Sequence, residues 1–303
     1  MEKLYNFHDN TGGTDNAKYC YAVWMRHLIY AHKNGMKSIP NRIAELGPGD
    51  SLGIGLSALL SGANYCVALD IVKFTNAQKN LEILDQLIPM FQNKVSIPTP
   101  NEFPNMKPSL ENYDFPSHII TDEILQKALH PLRIQKIKDS ILAIDNAKTL
   151  PSAMILYKAP WMDANIIDLG TTDMIISQAV LQHIDKISEA YQCMNMWLKP
   201  NGFMSHAIDL KSMGSADTWD GHWEYSNVQW KIVRGRKNYL INRIPYSKHI
   251  ELLQKNNFTI VCDIKHINPS SFTSRKQLAS DFASMSDDDL QISGMFIQAI
   301  KIN

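Results

Sequence analysis

Arg42-Ile43-Ala44-Glu45-Leu46-Gly47-Pro48-Gly49-Asp50-Ser51-Leu52-Gly53 decides the fold of this chain. An apolar run, a glycine turn and a second apolar run read as a strand, a loop and the first turn of a helix. Gly47 and Gly49 let the backbone take angles barred to other residues and approach a ligand closely. Further on, a second strand, Tyr65-Cys66-Val67-Ala68-Leu69, ends on Asp70. The Asp70 carboxylate can accept two hydrogen bonds from a ribose diol. Strand, turn, helix and strand over 42–70 make the unit of a doubly wound sheet, which binds ligands beyond the carboxyl ends of its strands. A dinucleotide loop would read G-x-G-x-x-G. Here Gly47, Gly49 and Gly53 give G-x-G-x-x-x-G, preceded by acidic Glu45 and with no Gly-Lys-Ser/Thr. The spacing departs from the dinucleotide pattern, and the loop is no P-loop.

Outward from this stretch, residues 1–40 read as an N-terminal helical cap, with Tyr21, Trp24, Met25, Leu28 and Ile29 at helical spacing. A helix is expected over 76–88, with Leu81, Leu84, Leu87 and Ile88 on its apolar face and Pro89 ending or kinking it. From 96 to 151 the alternation breaks. Pro98, Pro100, Pro104, Pro108 and Pro116 punctuate an irregular segment. Thr121 then caps a helix with Glu123 in its first turn, and Pro131 divides it from a second helix striped by Ile134, Ile137, Ile141 and Ile144. The segment is too long for a plain connection, and reads as an inserted helical cap over one side of the sheet. Strands are expected again at 153–157, 173–177, 203–209, 258–262 and 294–300. Helices are expected at 185–198 and 247–256, and Lys199-Pro200-Asn201-Gly202 as a turn. The stretch 211–245, rich in Trp, Tyr and Arg, has no clean period.

The chain has 303 residues, 45% of them apolar, and 30 basic side chains balance 30 acidic ones. A zero net charge disfavours a nucleic-acid partner, which would call for a basic excess. Cys20, Cys66, Cys193 and Cys262 form no C-x-x-C pair and read as buried free thiols in a reducing compartment. No apolar run reaches the roughly 18–20 residues of a membrane span, and residues 1–8 lack the apolar core of a signal peptide. A cytoplasmic protein with no membrane partner is the expectation. The sequence gives no sign of oligomeric state.

The glycine stretch resembles the first motif of the class I S-adenosylmethionine-dependent methyltransferases: an acidic residue, one residue, then G-x-G-x-x-x-G, here Glu45 to Gly53. Asp173-Met-Ile-Ile-Ser-Gln-Ala-Val-Leu-Gln-His183-Ile resembles the family's fourth strand and following loop. Lys199-Pro200-Asn201-Gly202-Phe203 resembles its turn into the fifth strand. The likeness covers about 42–75 and 153–210. It implies one α/β domain over 1–303: a Rossmann-like, doubly wound, seven-stranded, mostly parallel sheet with the inserted cap. It implies S-adenosyl-L-methionine as cofactor. By position, Gly47, Pro48, Gly49 and Gly53 would pass the methionine part, with Ser51 in the same loop. Glu45 would lie near the amino-acid end. Asp70 would hold the ribose hydroxyls, with Ile71 beside it. Asp163-Ala164 stands where many members carry an adenine-contacting Asp-Ala pair. Trp161 and Met162 would wall the base, and Ser177 and Gln178 would close the set after the fourth strand. Plainer readings stand beside these: an ordinary strand-helix turn for the glycines, a helix cap for Asp163, core for Trp161.

Methyl transfer from a sulfonium is a direct displacement, so the protein positions the acceptor and deals with its proton. His206, near the end of the fifth strand, is a candidate base, with Asp209 orienting it. The two are three residues apart and converge only if the strand ends near 207. His222 is a second candidate base. Trp223, Tyr225, Asn242 and Arg243 are candidate acceptor contacts, an arginine fork and aromatic rings suiting an anionic or sugar-like molecule. The loop Ser177-Gln178-Ala179-Val180 lacks the Asn/Asp-Pro-Pro-Tyr motif of family members acting on adenine or glutamine. No spacing compels a metal. The chain as a whole resembles stand-alone bacterial members thought to modify sugars. O-methylation of a small-molecule acceptor is the resulting expectation. An N-methyltransferase of a small amine and a cofactor-binding module without turnover are the alternatives, and a nicotinamide dehydrogenase is the rival set aside.

Overall fold

The computed structural model describes residues 13–146, 152–161, 163–237, 240–270 and 273–302. Met162, one of the expected cofactor contacts, lies outside the described residues. The chain divides into two compact units, Met1–Ile176 and Ser177–Asn303. Seven strands form one open mixed sheet in the order β3-β2-β1-β4-β5-β7-β6, with the division between the units falling inside β4.

The first unit holds β1 (Arg42–Leu46), β2 (Tyr65–Leu69) and β3 (Ile155–Lys158), with β1 parallel to β2 and β2 parallel to β3. β4 (Thr172–Gln178) begins in this unit. Residues 43–46 and 66–69 are all buried, the continuous burial of strands covered on both faces. Chain order reverses between β1 and β4, so the switch point of the doubly wound sheet falls beside the glycine loop that follows β1.

Helix α1 (Ala17–Lys33) starts where the Asn16 side chain accepts from the Tyr19 amide at 3.2 Å. Helix α2 (Gly53–Leu60) is apolar on every side, and all its residues are buried. Helix α3 (Ala77–Gln92) is capped by Asn76 and carries Pro89 inside it. The expected stop at Pro89 is therefore displaced by about one turn, and the buried Leu84, Leu87 and Phe91 give that last turn its anchorage. Helix α4 (Asp122–Ala128) has Thr121 as its cap, and Pro131 opens α5 (Pro131–Ala143) at the first turn, where a missing N–H costs nothing.

The second unit carries α6 (Ile187–Trp197), β5 (Leu198–Asp209), α7 (Asn227–Arg234), α8 (Tyr246–Lys255), β6 (Phe258–Ile267) and β7 (Ile292–Lys301). β7 is antiparallel to both β5 and β6. The expected turn at 199–202 is absorbed into β5, which bends there with Asn201 at φ 63°. α7, inside the stretch without periodicity, has a complete capping box between Ser226 and Gln229. Cys20 and Cys66 are buried, and the four cysteines are free thiols. Among the described residues no helix is long and apolar enough to cross a membrane.

Candidate functional site

The glycine loop after β1 is shaped from both sides. Gly47 (φ 64°) and Gly49 (φ 70°) take left-handed angles that a side chain would strain. Gly47 donates its amide to the Leu69 carbonyl at 2.8 Å, tying the loop to the end of β2. Gly49 donates to Asp70 Oδ2 at 3.2 Å, and Ile71 donates to Asp70 Oδ1 at 2.8 Å. Backbone amides thus hold both Asp70 oxygens, and the carboxylate retains acceptor capacity for a ligand. The Asp70 main chain also takes the Trp161 amide at 3.0 Å, which brings the segment after β3 to the end of β2. Burial raises the Asp70 carboxyl, and the amides of Ile71, Gly49 and Val72 pull it back down.

Beyond Asp70 lies an apolar ledge. Ile71, Val72 and Phe74 are 39%, 39% and 51% exposed, unusual for three large apolar side chains within four residues at a strand end. Tyr157 of β3 fixes their backbone: its hydroxyl accepts from the Phe74 amide at 3.1 Å and donates to the Val72 carbonyl at 3.0 Å.

Behind the loop, five amides at the head of α2 are taken. Asp50 and Ser51 donate to Thr14 Oγ1 at 3.0 and 3.3 Å. Leu52 donates to Asn80 Oδ1 at 2.7 Å, Gly53 to Ser51 Oγ at 3.1 Å, and Gly55 to Glu45 Oε2 at 3.0 Å. Amides at such a helix end are what phosphate-binding loops offer to a ligand; here the protein's own oxygens fill them.

Glu45 is 1% exposed, and its Oε1 has no hydrogen-bond partner. Burial foremost, and the nearby Asp70 charge, push its carboxyl up to about 8 against the pull of the Gly55 amide. The loop is thus bordered by the Asp50 and Asp70 carboxylates, with a neutral Glu45 carboxyl behind it, a setting that disfavours a polyphosphate.

Several expected contacts are placed differently. Gly53 is buried under α1: a Cβ there would lie 2.4 Å from Cys20 Sγ, so this glycine serves helix packing rather than the ligand. Pro48 is buried, and the Ser51 hydroxyl donates to the Thr14 carbonyl. Asp163 is exposed and caps a short 3-10 turn, accepting from the Asn165 amide at 2.9 Å, while Ala164 and Trp161 are half-buried. Thr14, Asn80, Gly55 and Tyr157 were not expected. Only Asn80, a polar residue at a buried helix position, carries a signal in the sequence.

In the second unit the candidate acceptor residues do not assemble as expected. His206 is fully buried in β5, its Nδ1 2.8 Å from Ser177 Oγ. β5 runs on through Asp209, so the two side chains alternate away from each other. Asp209 instead accepts from the Lys211 amide at 2.8 Å and pairs with Lys211 Nζ at 3.2 Å. It does not orient His206. His222 is 1% exposed, its ring 4.4 Å from that of Trp223, and burial with the Arg243 charge lowers it to about 3. A neutral, enclosed imidazole of that kind is no base for an external acceptor.

Trp223 is fully buried against Met285 and Leu290, and its Nε1 donates to the Arg243 carbonyl at 3.1 Å. Arg243, at φ 64°, donates to the carbonyls of His222 and Tyr225 and to Asn227 Oδ1, and lies 4.6 Å over the Trp230 ring. Burial lowers it to about 10, with the Asp281 charge opposing. Asn242 donates to the carbonyls of Leu181 and Ile184 at 2.8 and 2.9 Å. The Asn242–Arg243 pair does point inward, but as a clamp on the 181–184 and 222–227 segments rather than a substrate fork. Tyr225 is half-buried against Trp230. Gln178 is half-buried, and the next residue, Ala179, is held at φ 55° with its amide on the Ala207 carbonyl at 2.8 Å. Among the described residues no three His, Cys, Asp or Glu side chains gather where they could hold a metal.

No family model matches the chain, and no curated protein matches it. Solved structures to which it is similar include an S-adenosylmethionine-dependent methyltransferase from Mesorhizobium loti, at 13% identity and a TM-score of 0.42, covering 90% of this chain and 96% of that one. Another is a putative sarcosine dimethylglycine methyltransferase from Galdieria sulphuraria, at 11% identity and a TM-score of 0.47, covering 92% and 85%. A third is a putative S-adenosylmethionine-dependent methyltransferase from Listeria monocytogenes, at 13% identity and a TM-score of 0.43, covering 93% and 99%. At these TM-scores the likeness carries no weight for function, which has to rest on the geometry of the loop itself.

Proposed function

We propose that the first unit binds S-adenosyl-L-methionine and that the protein is a methyltransferase acting on a small acceptor. The observation that carries this is the head of α2. Its amides at Asp50, Ser51, Leu52, Gly53 and Gly55 are spent on Thr14, Asn80, Ser51 and Glu45, so it offers no ready phosphate cradle. The carboxylates of Asp50 and Asp70 around it, with the ionisable Glu45 carboxyl behind, suit a nucleoside that is cationic instead.

The residues fit that group. The acceptor positions left on Asp70 suit the ribose hydroxyls, and the ledge of Ile71, Val72 and Phe74 suits the base face. The orphaned Glu45 Oε1 suits a cationic amino-acid end, whose approach would draw the proton off that carboxyl. When bound, the sulfonium supplies an electrophilic methyl group for direct displacement. The chain's own part is to hold the donor: Asp70 fixes the sugar, and the left-handed glycines keep the loop clear of side-chain bulk.

We infer the methylated atom from the enclosure of His206 and His222. A hydroxyl acceptor calls for a base, and both imidazoles are enclosed. A neutral amine attacks without one. Nitrogen of a small amine is therefore the better supported acceptor, and oxygen of a sugar-like or anionic molecule, expected from the histidines, is the second reading. Calorimetry on the full chain tests the donor: S-adenosylhomocysteine should bind in the micromolar range, and NADH and ADP should not. Binding of NADH without S-adenosylhomocysteine would reverse the reading. His206→Asn and His222→Asn enzymes that keep turnover within about threefold favour nitrogen; a loss of more than a hundredfold in either restores the hydroxyl reading.

A further inference from the structure

We propose that Thr14 is a selectivity and positioning residue of the donor loop, its hydroxyl standing where a phosphate oxygen would otherwise take the amides of Asp50 and Ser51. The grounds are geometric. Thr14 is 6% exposed although it precedes the first helix, so it is held in place rather than draped over the surface. Its Oγ1 takes both amides. Its carbonyl accepts from the Ser51 hydroxyl and, at 3.3 Å, from Cys20 Sγ. Gly49 faces it so closely that a Cβ there would lie 3.2 Å from Oγ1. Gly13, at φ 83°, turns the chain into this position against the ring of Tyr19, and Asn16 then caps α1.

Paired amides at the head of a helix attract anions. Left open here, they would present two anion-attracting donors one residue beyond Gly49, against the opposing Asp50 and Asp70 charges. A hydroxyl carries acceptor lone pairs and no charge, so it satisfies the amides without bringing a further negative charge toward Asp50 and Asp70. The same bonds fix the turn from Gly49 into α2, and so the face that the loop presents. Thr14 thereby performs two tasks: it turns away phosphate-bearing nucleotides and it sets the loop for a donor without phosphate. Only the second task rests on the donor reading proposed above.

Hydrogen exchange and calorimetry on the full chain test this with three variants. Thr14→Ser keeps the hydroxyl and should keep slow exchange at the Asp50 and Ser51 amides. Thr14→Val keeps the bulk and removes the acceptor: exchange at those amides should rise at least tenfold, and S-adenosylhomocysteine should bind about tenfold more weakly. Thr14→Ala opens the space, and ADP or inorganic pyrophosphate should bind it at least tenfold more tightly than the unaltered protein. Exchange in Thr14→Val within twofold of the unaltered protein, or no gain of ADP and pyrophosphate by a folded Thr14→Ala, overturns the proposal. If Thr14→Ala does not fold, the exchange result with Thr14→Val decides. If the unaltered protein binds no S-adenosylhomocysteine while Thr14→Ala gains pyrophosphate, the donor reading fails and the phosphate-excluding role stands.

Discussion

At the scale of the residue, the same side-chain type does opposite work in different places. Asp70 is a carboxylate held by backbone amides with acceptor capacity left over. Asp209 is a carboxylate already engaged by its neighbour Lys211. Asp70→Asn should therefore weaken S-adenosylhomocysteine by about 2 kcal/mol, roughly thirtyfold, the worth of a charge-assisted bond, while Asp209→Asn leaves it unchanged; titration calorimetry on both variants checks the contrast. Arg243 shows why residue type misleads. An arginine among aromatics reads as a substrate fork, but this one gives its N–H groups to His222, Tyr225 and Asn227 within its own unit. Arg243→Lys cannot reproduce that planar fork. It should lower the melting temperature by several degrees, about 2 kcal/mol of a partly buried network, with no change in donor affinity.

At the scale of the element, the close approach of α1 to α2 is set by one glycine. Adding a methyl group to Gly53 would drive it into Cys20, at 2.4 Å from Sγ and 2.8 Å from Cβ. Gly53→Ala should cost about 1–3 kcal/mol by overpacking, read as an earlier midpoint in urea. Gly53→Ala combined with Cys20→Ala should recover part of the loss, because the clashing sulfur is gone. The strands and helices around this pair were legible in the sequence: the glycine turn, the capping residues Thr121 and the N1 proline Pro131 announce themselves locally. What was not legible is what touches what. Thr14 reaches the loop from far earlier in the chain, and Asn80 reaches it from α3. Thr14 has no local pattern, and the polar Asn80 on a buried helix face shows only that it needs a partner, not which one. α7 was missed because an eight-residue helix that buries one tryptophan leaves too short a stripe to show a period. α3 does not end at Pro89 because the buried Phe91 beyond it outweighs one absent amide.

At the scale of the whole molecule, three buried titratable groups set opposing pH limits. His222 and His249 are lowered to about 3 and about 4, chiefly by burial. Unfolding lets them bind protons near their ordinary value of ~6.5, so stability is full above that pH and is lost as pH falls toward 3–4. Glu45 is raised to about 8. Unfolding lets it release its proton from about 4.3 upward, so its contribution is full in acid and is lost as pH rises toward 8. His249→Gln should flatten the acid limb of a melting-temperature profile, and Glu45→Gln the alkaline limb. Glu45→Gln should also lose the response to a cationic ligand. The measurement that bears most directly on the central claim is a calorimetric comparison of S-adenosylhomocysteine, S-adenosylmethionine, NADH and ADP against the full chain at pH 7.5. The account predicts saturable binding of the first two, abolished or weakened about thirtyfold by Asp70→Asn, and none of the last two. Binding of NADH or ADP with no response to either S-adenosyl compound would contradict it.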